Sequence, residues 1–506
     1  MSDEIRADYV VVGAGSAGSI VASRLATAGA SVILVEAGGT DRRPDVAFPL
    51  GILTLYATAN WKYPTAAEPS KDGATGAFAS GRIVGGSGSI NAMVYARGRR
   101  DDYDGWAGAG ATGWSYRDVL PHFKALETWV DGPDEYRGGS GPISVSWCGH
   151  HHEIDDAFIQ AAVEAGHRLN PDPNGSDQTG VARTQVNQRR GLRSSSGREF
   201  PGRVPREQRP RVLTRSTVTR VVVEHGRAVG IQIGDRVIRA RQEVVLCAGA
   251  IGSATLLMNS GIAAGGGVAN LPGVGENFHD HLVVTQGWAS KVPTINTMGA
   301  VRGVKALRQF IARGEGALTT TPFEAQIFTD DFQIAVSPVR YEINPVTGRA
   351  KVKRSDAFTA YTVLMHPEGR GRVRTRDGKP EIEFDRLGRP EDVRKLLAGA
   401  ELTRDLIESQ PAMRGITGAN LSPTGDDARR WLSSAESSIY HAVGTCRMGT
   451  DDMSVVGPDL RVHGIEGLRV ADASVMPSIT SGNTNAPTMM IALRAVDLIL
   501  GAASVH

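Results

Sequence analysis

The sequence predicts an α/β chain, α+β overall. A Rossmann-like nucleotide domain is assembled from separated stretches, and a discontinuous second domain is built on an antiparallel sheet. Three observations carry this. The first 36 residues read strand, glycine turn, helix, strand. A second apolar strand runs into a glycine turn at 243–250, and aromatic, strand-like segments fill much of 276–425.

The opening unit assigns a task to each glycine. Gly13 permits a sharp turn after Val10-Val-Val12, Gly15 lets backbone approach a pyrophosphate, and Gly18 lets the following helix pack on the strand. That helix, expected from about residue 16 to 28, points its positive N-terminus, beginning at Ser16, toward phosphate. Val32-Ile-Leu-Val35 is the second strand. Glu36 follows 21 residues after Gly15, close to the interval at which an acid reaches a ribose hydroxyl. Glu36 and the neighbouring Ala37 disfavour a 2′-phosphate and hence NADP, while FAD and NAD both stay open.

The next stretch, 81–91, is crowded with small residues including Gly86 and ends at Asn91, which suits backbone wrapped against a ligand. Residues 211–223 and 229–233 alternate as paired strands around a 224–227 turn. The apolar run at 243–250 predicts a buried strand, followed by a helix over about 253–259. Phe328, Phe332, Tyr341, Phe358 and Tyr361 mark strands of the second domain; a mixed loop is expected at 349–354 and a helix over 390–409. Segments 440–449, 468–477 and 481–490 then precede a terminal helix. The expected division is 1–150, 195–275 and 426–506 for the nucleotide domain, with 151–194 and 276–425 for the substrate domain.

Composition excludes several classes. The chain is long enough for two cores, and 41% hydrophobic with 22% charged residues is ordinary for a globular protein. A net charge of +2 without a basic run argues against nucleic acid as partner. No apolar stretch reaches the roughly 18 residues of a membrane span. The first strand starts by Ala7, leaving no room ahead of it for a secretory leader, so the expected localisation is cytoplasmic. Cys148, Cys247 and Cys446 are too few and scattered for a disulfide framework or a metal site, and no metal is expected.

Four ordered motifs make the chain similar to the glucose-methanol-choline (GMC) flavoprotein oxidoreductases. These are the dinucleotide unit, the 81–91 segment with Tyr95-Ala-Arg-Gly98, the 247–261 segment, and the tail from His441 to Met490. Ala254 and Ala263 depart from the proline and glycine of the family's second signature, and the loop after Ile262 is short. The resemblance implies FAD, with Gly13, Gly15, Ser16 and Gly18 at its pyrophosphate and Glu36 at its ribose. Val218 would lie at the adenine, Gly86 and Asn91 beside the flavin, and Asp472 and Ala473 at the linker. Some relatives attach the flavin through a histidine where this chain has Ile90, so noncovalent FAD is expected. The family's catalytic pair, spaced about 44 residues, maps to His441 and Asn485. His441 would take the alcohol proton, and Asn485 would donate to the developing alkoxide. Without the resemblance, both would read as ordinary core or turn residues.

Other candidates are weaker. His150-His-His152 reads as an exposed loop, and His279-Asp-His281 as a structural site beside the Gly273–Gly275 turn. Glu324, in a region that lines the substrate side in relatives, would either attract a cationic group or be a solvated loop acid. The expected function is oxidation of a primary alcohol, such as choline, an alkanol, an aryl or furfuryl alcohol or pyridoxine, with O2 or another acceptor taking the electrons. An NAD-linked dehydrogenase and a non-catalytic flavin-binding protein are the alternatives. Oligomeric state is left open.

Overall fold

A computed structural model describes residues 5–343, 350–422 and 427–501. Its first sheet has seven strands. Arg211–Leu213, Val32–Val35, Arg6–Val12 and the end of Arg236–Leu246 run parallel, with Leu468–Val470 parallel to that same end. The start of Arg236–Leu246 pairs antiparallel with Arg227–Ile233, which pairs antiparallel with Arg220–Glu224. Both faces of the parallel part are covered. Val10, Val11 and Leu246 are fully buried, which is why these strands read as unbroken apolar runs. Helices Gly18–Thr27 and Asn485–Leu500 contribute Ile20, Leu25, Met490 and Ile491 to this core.

The second sheet is antiparallel throughout, in the order Thr417–Asn420, Leu282–Ser290, Ala357–Leu364, Phe332–Ser337, Ala325–Phe328, Gly180–Arg183. Glu436–Ser438 pairs with the start of Leu282–Ser290. Alternation divides the sheet's residues. Ile327, Ile334 and Val336 pack with Phe158 and Leu396 of helices Glu153–Glu164 and Pro390–Glu408. On the other face, Ala335 packs with Phe323 and with Val94 of the first domain. That face carries Gln326 and Gln333, both buried.

Several expectations shift. The 211–223 run breaks into two strands because Arg215 adopts a left-handed φ of 54° and its amide bonds to Gly38 O. The helix expected from 253 begins at Gly249. Part of the expected 349–354 loop is a strand, Ala350–Val352, paired with Tyr341–Ile343; Arg349 lies outside the described residues. Helix Ala428–Ala435 and strand Glu436–Ser438 join the second core and sheet, so the chain re-enters the nucleotide domain after 438 rather than at 426.

Close packing at the first turn yields a test. A Cβ on Gly18 would lie 1.9 Å from Gly13 O, whereas one on Gly105, within helix Arg100–Gly108, meets nothing within 4 Å. Urea denaturation should show Gly18→Ala destabilised by about 1–3 kcal/mol or more and Gly105→Ala stabilised by roughly 0.5–1 kcal/mol. Equal midpoints for the two variants would contradict the packing.

Candidate active site

Two glycine loops lie back to back at the edge of the first sheet. The amide of Gly85 donates to Ala14 O at 2.6 Å, and a Cβ on Gly86 would approach Gly15 Cα to 2.7 Å. Among the described residues the amides of Gly15, Ser16 and Ala17 donate to no protein acceptor. Buried amides need partners, so this helix start fits an anionic pyrophosphate. Glu36 accepts from the amides of Ala14 at 3.0 Å and Gly38 at 2.7 Å, and burial pushes its carboxyl up to about 7. The amide of Ser216, two residues before Val218, donates to Glu36 O. Asn91 Oδ1 accepts from the buried guanidinium of Arg193 at 2.6 Å, which also donates to Gly88 O. Asp472 accepts four bonds, from the amides of Gly249 and Ser474 and the hydroxyls of Ser253 and Ser474. Its carboxylate clamps the end of strand Leu468–Val470 to helix Gly249–Asn259. Ala473 O accepts from the Gly444 amide in the loop that carries His441.

That loop is placed by a short antiparallel bridge. His279 and Val443 exchange both backbone hydrogen bonds, at 3.1 and 3.2 Å. Two residues along in opposite directions, His281 and His441 therefore face each other. Asp280 completes the anchor by accepting from the His441 amide at 2.7 Å and from the Ser438 hydroxyl. The sequence reading of His279-Asp-His281 as structural thus omits His281 from the site. No local signal marks it, since its facing partner is 160 residues away.

Hydrogen bonding fixes where the protons sit. His281 Nε2 lies 3.0 Å from Met365 O, which can only accept, so this nitrogen carries hydrogen. Burial, helped by the neighbouring His441 and His366, holds His281 well below its ordinary value and therefore neutral. Its Nδ1 is then bare and accepts from His441 Nδ1 at 2.8 Å. Burial also holds His441 down to about 3. The resting His441 is neutral, protonated on Nδ1, with an available lone pair on Nε2.

Asn483 faces that lone pair, its Nδ2 lying 3.3 Å from His441 Nε2. The amide is oriented from the second sheet. Gln333 Nε2 donates to Asn483 Oδ1 at 3.2 Å and to Gln326 Oε1 at 2.9 Å, which turns the Asn483 amide nitrogen toward the histidine. Asn485, the residue expected in this place, instead accepts from Ser16 Oγ at 2.7 Å at the start of the last helix. It stands with the glycine loops.

Glu324 is buried completely. It accepts from the Thr320 hydroxyl and has both oxygens 2.9 Å from His150 Nδ1, and its carboxyl is pushed up to about 7 by burial. This overturns the reading of Glu324 as a solvated loop acid. The exposed-loop reading of the histidine triplet holds for His151 and fails for its neighbours. His150 is buried, and His152 caps helix Glu153–Glu164 by accepting from the Ile154 amide.

A helix start with free amides, a buried acid after the second strand and a buried neutral histidine beside an oriented amide suit a nucleotide-dependent oxidoreductase. Comparison with known proteins makes the class specific. The N-terminal model of the GMC oxidoreductases matches residues 7–283 and the C-terminal model residues 367–492. The chain belongs to this family. It is 36% identical to an oxygen-dependent choline dehydrogenase of Vibrio vulnificus, covering 97% of this chain and 94% of that protein. It is likewise 36% identical to an uncharacterised GMC-type oxidoreductase of Mycobacterium bovis, covering 98% and 99%. Among solved structures, pyridoxine 4-oxidase from Mesorbium loti superposes with a TM-score of 0.86 at 26% identity, over 98% of this chain and all of that one. Formate oxidase of Aspergillus oryzae shares the fold, with a TM-score of 0.90 at 21% identity over 99% of both chains.

The proton arrangement predicts the effect of removing the second histidine. His281→Ala should leave the bound cofactor content unchanged while slowing anaerobic cofactor reduction by an alcohol on the order of 10²-fold, the scale of a mispositioned base. A normal reduction rate in this variant would show that His281 does not orient His441.

Proposed function

We propose that this GMC oxidoreductase uses FAD to oxidise a small primary alcohol to its aldehyde, with His441 as the base. The observation that carries the reading is the chain Met365 O, His281, His441, Asn483, which presents a neutral, bare Nε2 beside a fixed amide donor. When bound, FAD supplies the acceptor for the two electrons and carbon-bound hydrogen that leave the alcohol as hydride. Gly15, Ser16 and Ala17 hold its pyrophosphate and Glu36 its ribose. Val218, Gly86 and Asn91 belong to the same binding surface, and Ile90, buried and without a nucleophile, leaves the cofactor noncovalent.

The protein's own part is to orient the alcohol and receive its proton. His441 Nε2 takes the hydroxyl proton as the C–H bond breaks. The Asn483 amide donates to the oxygen as it gains charge, a contribution larger in the transition state than in the ground state. Asn485 supports the cofactor loop through Ser16. O2 or another acceptor then receives the electrons.

Aromatic rings gather around the residue that precedes this base. Tyr440 precedes His441, its ring 5.9 Å from that of Tyr56 and 5.3 Å from that of Phe78. With Glu324 engaged by His150 and Thr320, the surroundings favour a neutral alcohol with a flat apolar part, stacking being worth about 0.5–1.5 kcal/mol. Choline is the second reading. The name of the Vibrio relative favours it, and tyrosine faces attract quaternary ammonium groups.

Two experiments test these roles. In anaerobic mixing over an alcohol panel, benzylic alcohols should bleach the flavin with a higher kcat/KM than choline, and acid precipitation should leave all flavin in the supernatant. The reverse order selects choline, and no bleaching by any primary alcohol contradicts the reading. Separately, Asn483→Ala should lower kcat by about 10²–10³ with FAD retained, while Asn485→Ala should chiefly weaken FAD retention. Interchanged effects would return the donor role to Asn485.

A further inference from the structure

Helix Ala300–Arg313 turns its apolar residues outward. Val301 is 86% exposed, Ile311 71%, Val304 54% and Leu307 49%. At 3.6 residues per turn these four side chains share about a third of the circumference. The inner face is thin, with Ala306 buried and the Phe310 ring tilted against that of Phe48, centroids 5.4 Å apart. Lys305 borders the stripe and Arg308 lies within it, Arg302 and Arg313 lie toward the inner side, and no acid lies between 300 and 313. Arg302 donates to Thr294 O and to Thr297 and its charge acts on Asp356, whereas among the described residues Lys305, Arg308 and Arg313 form no ion pair. Exposed Arg189 and Arg190 extend the basic rim from the neighbouring hairpin, where Gly191 packs against Gly314. A cleft of about 340 Å³ opens on the helix flank, with Arg302, Lys305 and Gln309 on one wall and His151, Thr294 and Glu315 among its other residues.

We propose that this helix docks the enzyme on an anionic lipid bilayer. The aliphatic stripe would lie in the acyl boundary, and Lys305 and Arg308 would meet phosphodiester headgroups. Charge argues against a second copy as the occupant. A symmetric dimer through this face would set the same unpaired cations against each other. The stripe also lacks the exposed tryptophan or tyrosine that anchors many protein interfaces. A bilayer with acidic headgroups supplies both complements, apolar depth and negative charge. No helix of the described residues is long and apolar enough to cross a membrane, so the contact is peripheral. The inference does not depend on which alcohol is oxidised.

The test is co-sedimentation of the FAD-loaded enzyme with vesicles of phosphatidylcholine alone and of phosphatidylcholine mixed equally with phosphatidylglycerol. The enzyme should pellet with the mixed vesicles only and be released by high salt. Lys305→Gln with Arg308→Gln should weaken partitioning roughly 25-fold, about five-fold for each cation. Ile311→Glu should abolish pelleting while flavin content and alcohol turnover in buffer stay unchanged. Failure to pellet with the mixed vesicles, or pelleting unaffected by Ile311→Glu, overturns the proposal. A concentration-dependent dimer in light scattering that Ile311→Glu dissociates would assign the stripe to a second copy and overturn it equally.

Discussion

The active site depends on one short contact, the reciprocal backbone hydrogen bonds between His279 and Val443. Register follows from that bridge. It brings His281 to His441, lets Asp280 accept from the His441 amide, and leaves the far edge of the imidazole facing Asn483. Because strand partners two residues along are obligatory neighbours in an antiparallel pair, a slip of one residue would turn His281 away. The bridge joins the entry of the second sheet to the return into the first domain, so neither domain builds the base alone.

Burial sets the chemistry of what the bridge assembles. A neutral imidazole is ambiguous between two tautomers, and the Met365 carbonyl resolves the ambiguity at a distance of two rings. By accepting from His281 Nε2 it makes His281 an acceptor toward His441, which leaves His441, the proposed base, its lone pair at Nε2. The Asn483 amide is fixed in the same way, by Gln333 from the second sheet. Both groups are oriented before substrate arrives, the condition under which fixed dipoles act on a transition state without reorganising. The buried carboxyls of Asp280 and Glu324 belong to the framework. Each is held by hydroxyl and amide or imidazole donors and pushed up to about 7 by burial.

Much of the fold was legible in the sequence because its signals are local. The strand, glycine turn and acid of the first unit depend on residues close in the chain, and the structure places them at the expected positions. Family resemblance points to His441, the proposed base. It points to Asn485 rather than Asn483, and the two are told apart only by partners remote in sequence, Ser16 for Asn485 and Gln333 for Asn483. His281 and the His150–Glu324 pair were missed for the same reason, since each is defined by a partner more than 150 residues away. That 428–438 joins the second core and sheet was not legible, because the stretch has no apolar pattern that distinguishes one sheet from the other.

The central claim is that His441 rests as a neutral imidazole protonated on Nδ1. Nitrogen-15 NMR of histidine-labelled holoenzyme at neutral pH, with His441→Gln for assignment, reads this directly. The account predicts one pyrrole-type signal at Nδ1, one pyridine-type signal at Nε2, and no change as pH falls through the ordinary histidine range. An imidazolium pattern at neutral pH, or a pyridine-type signal at Nδ1, would contradict it.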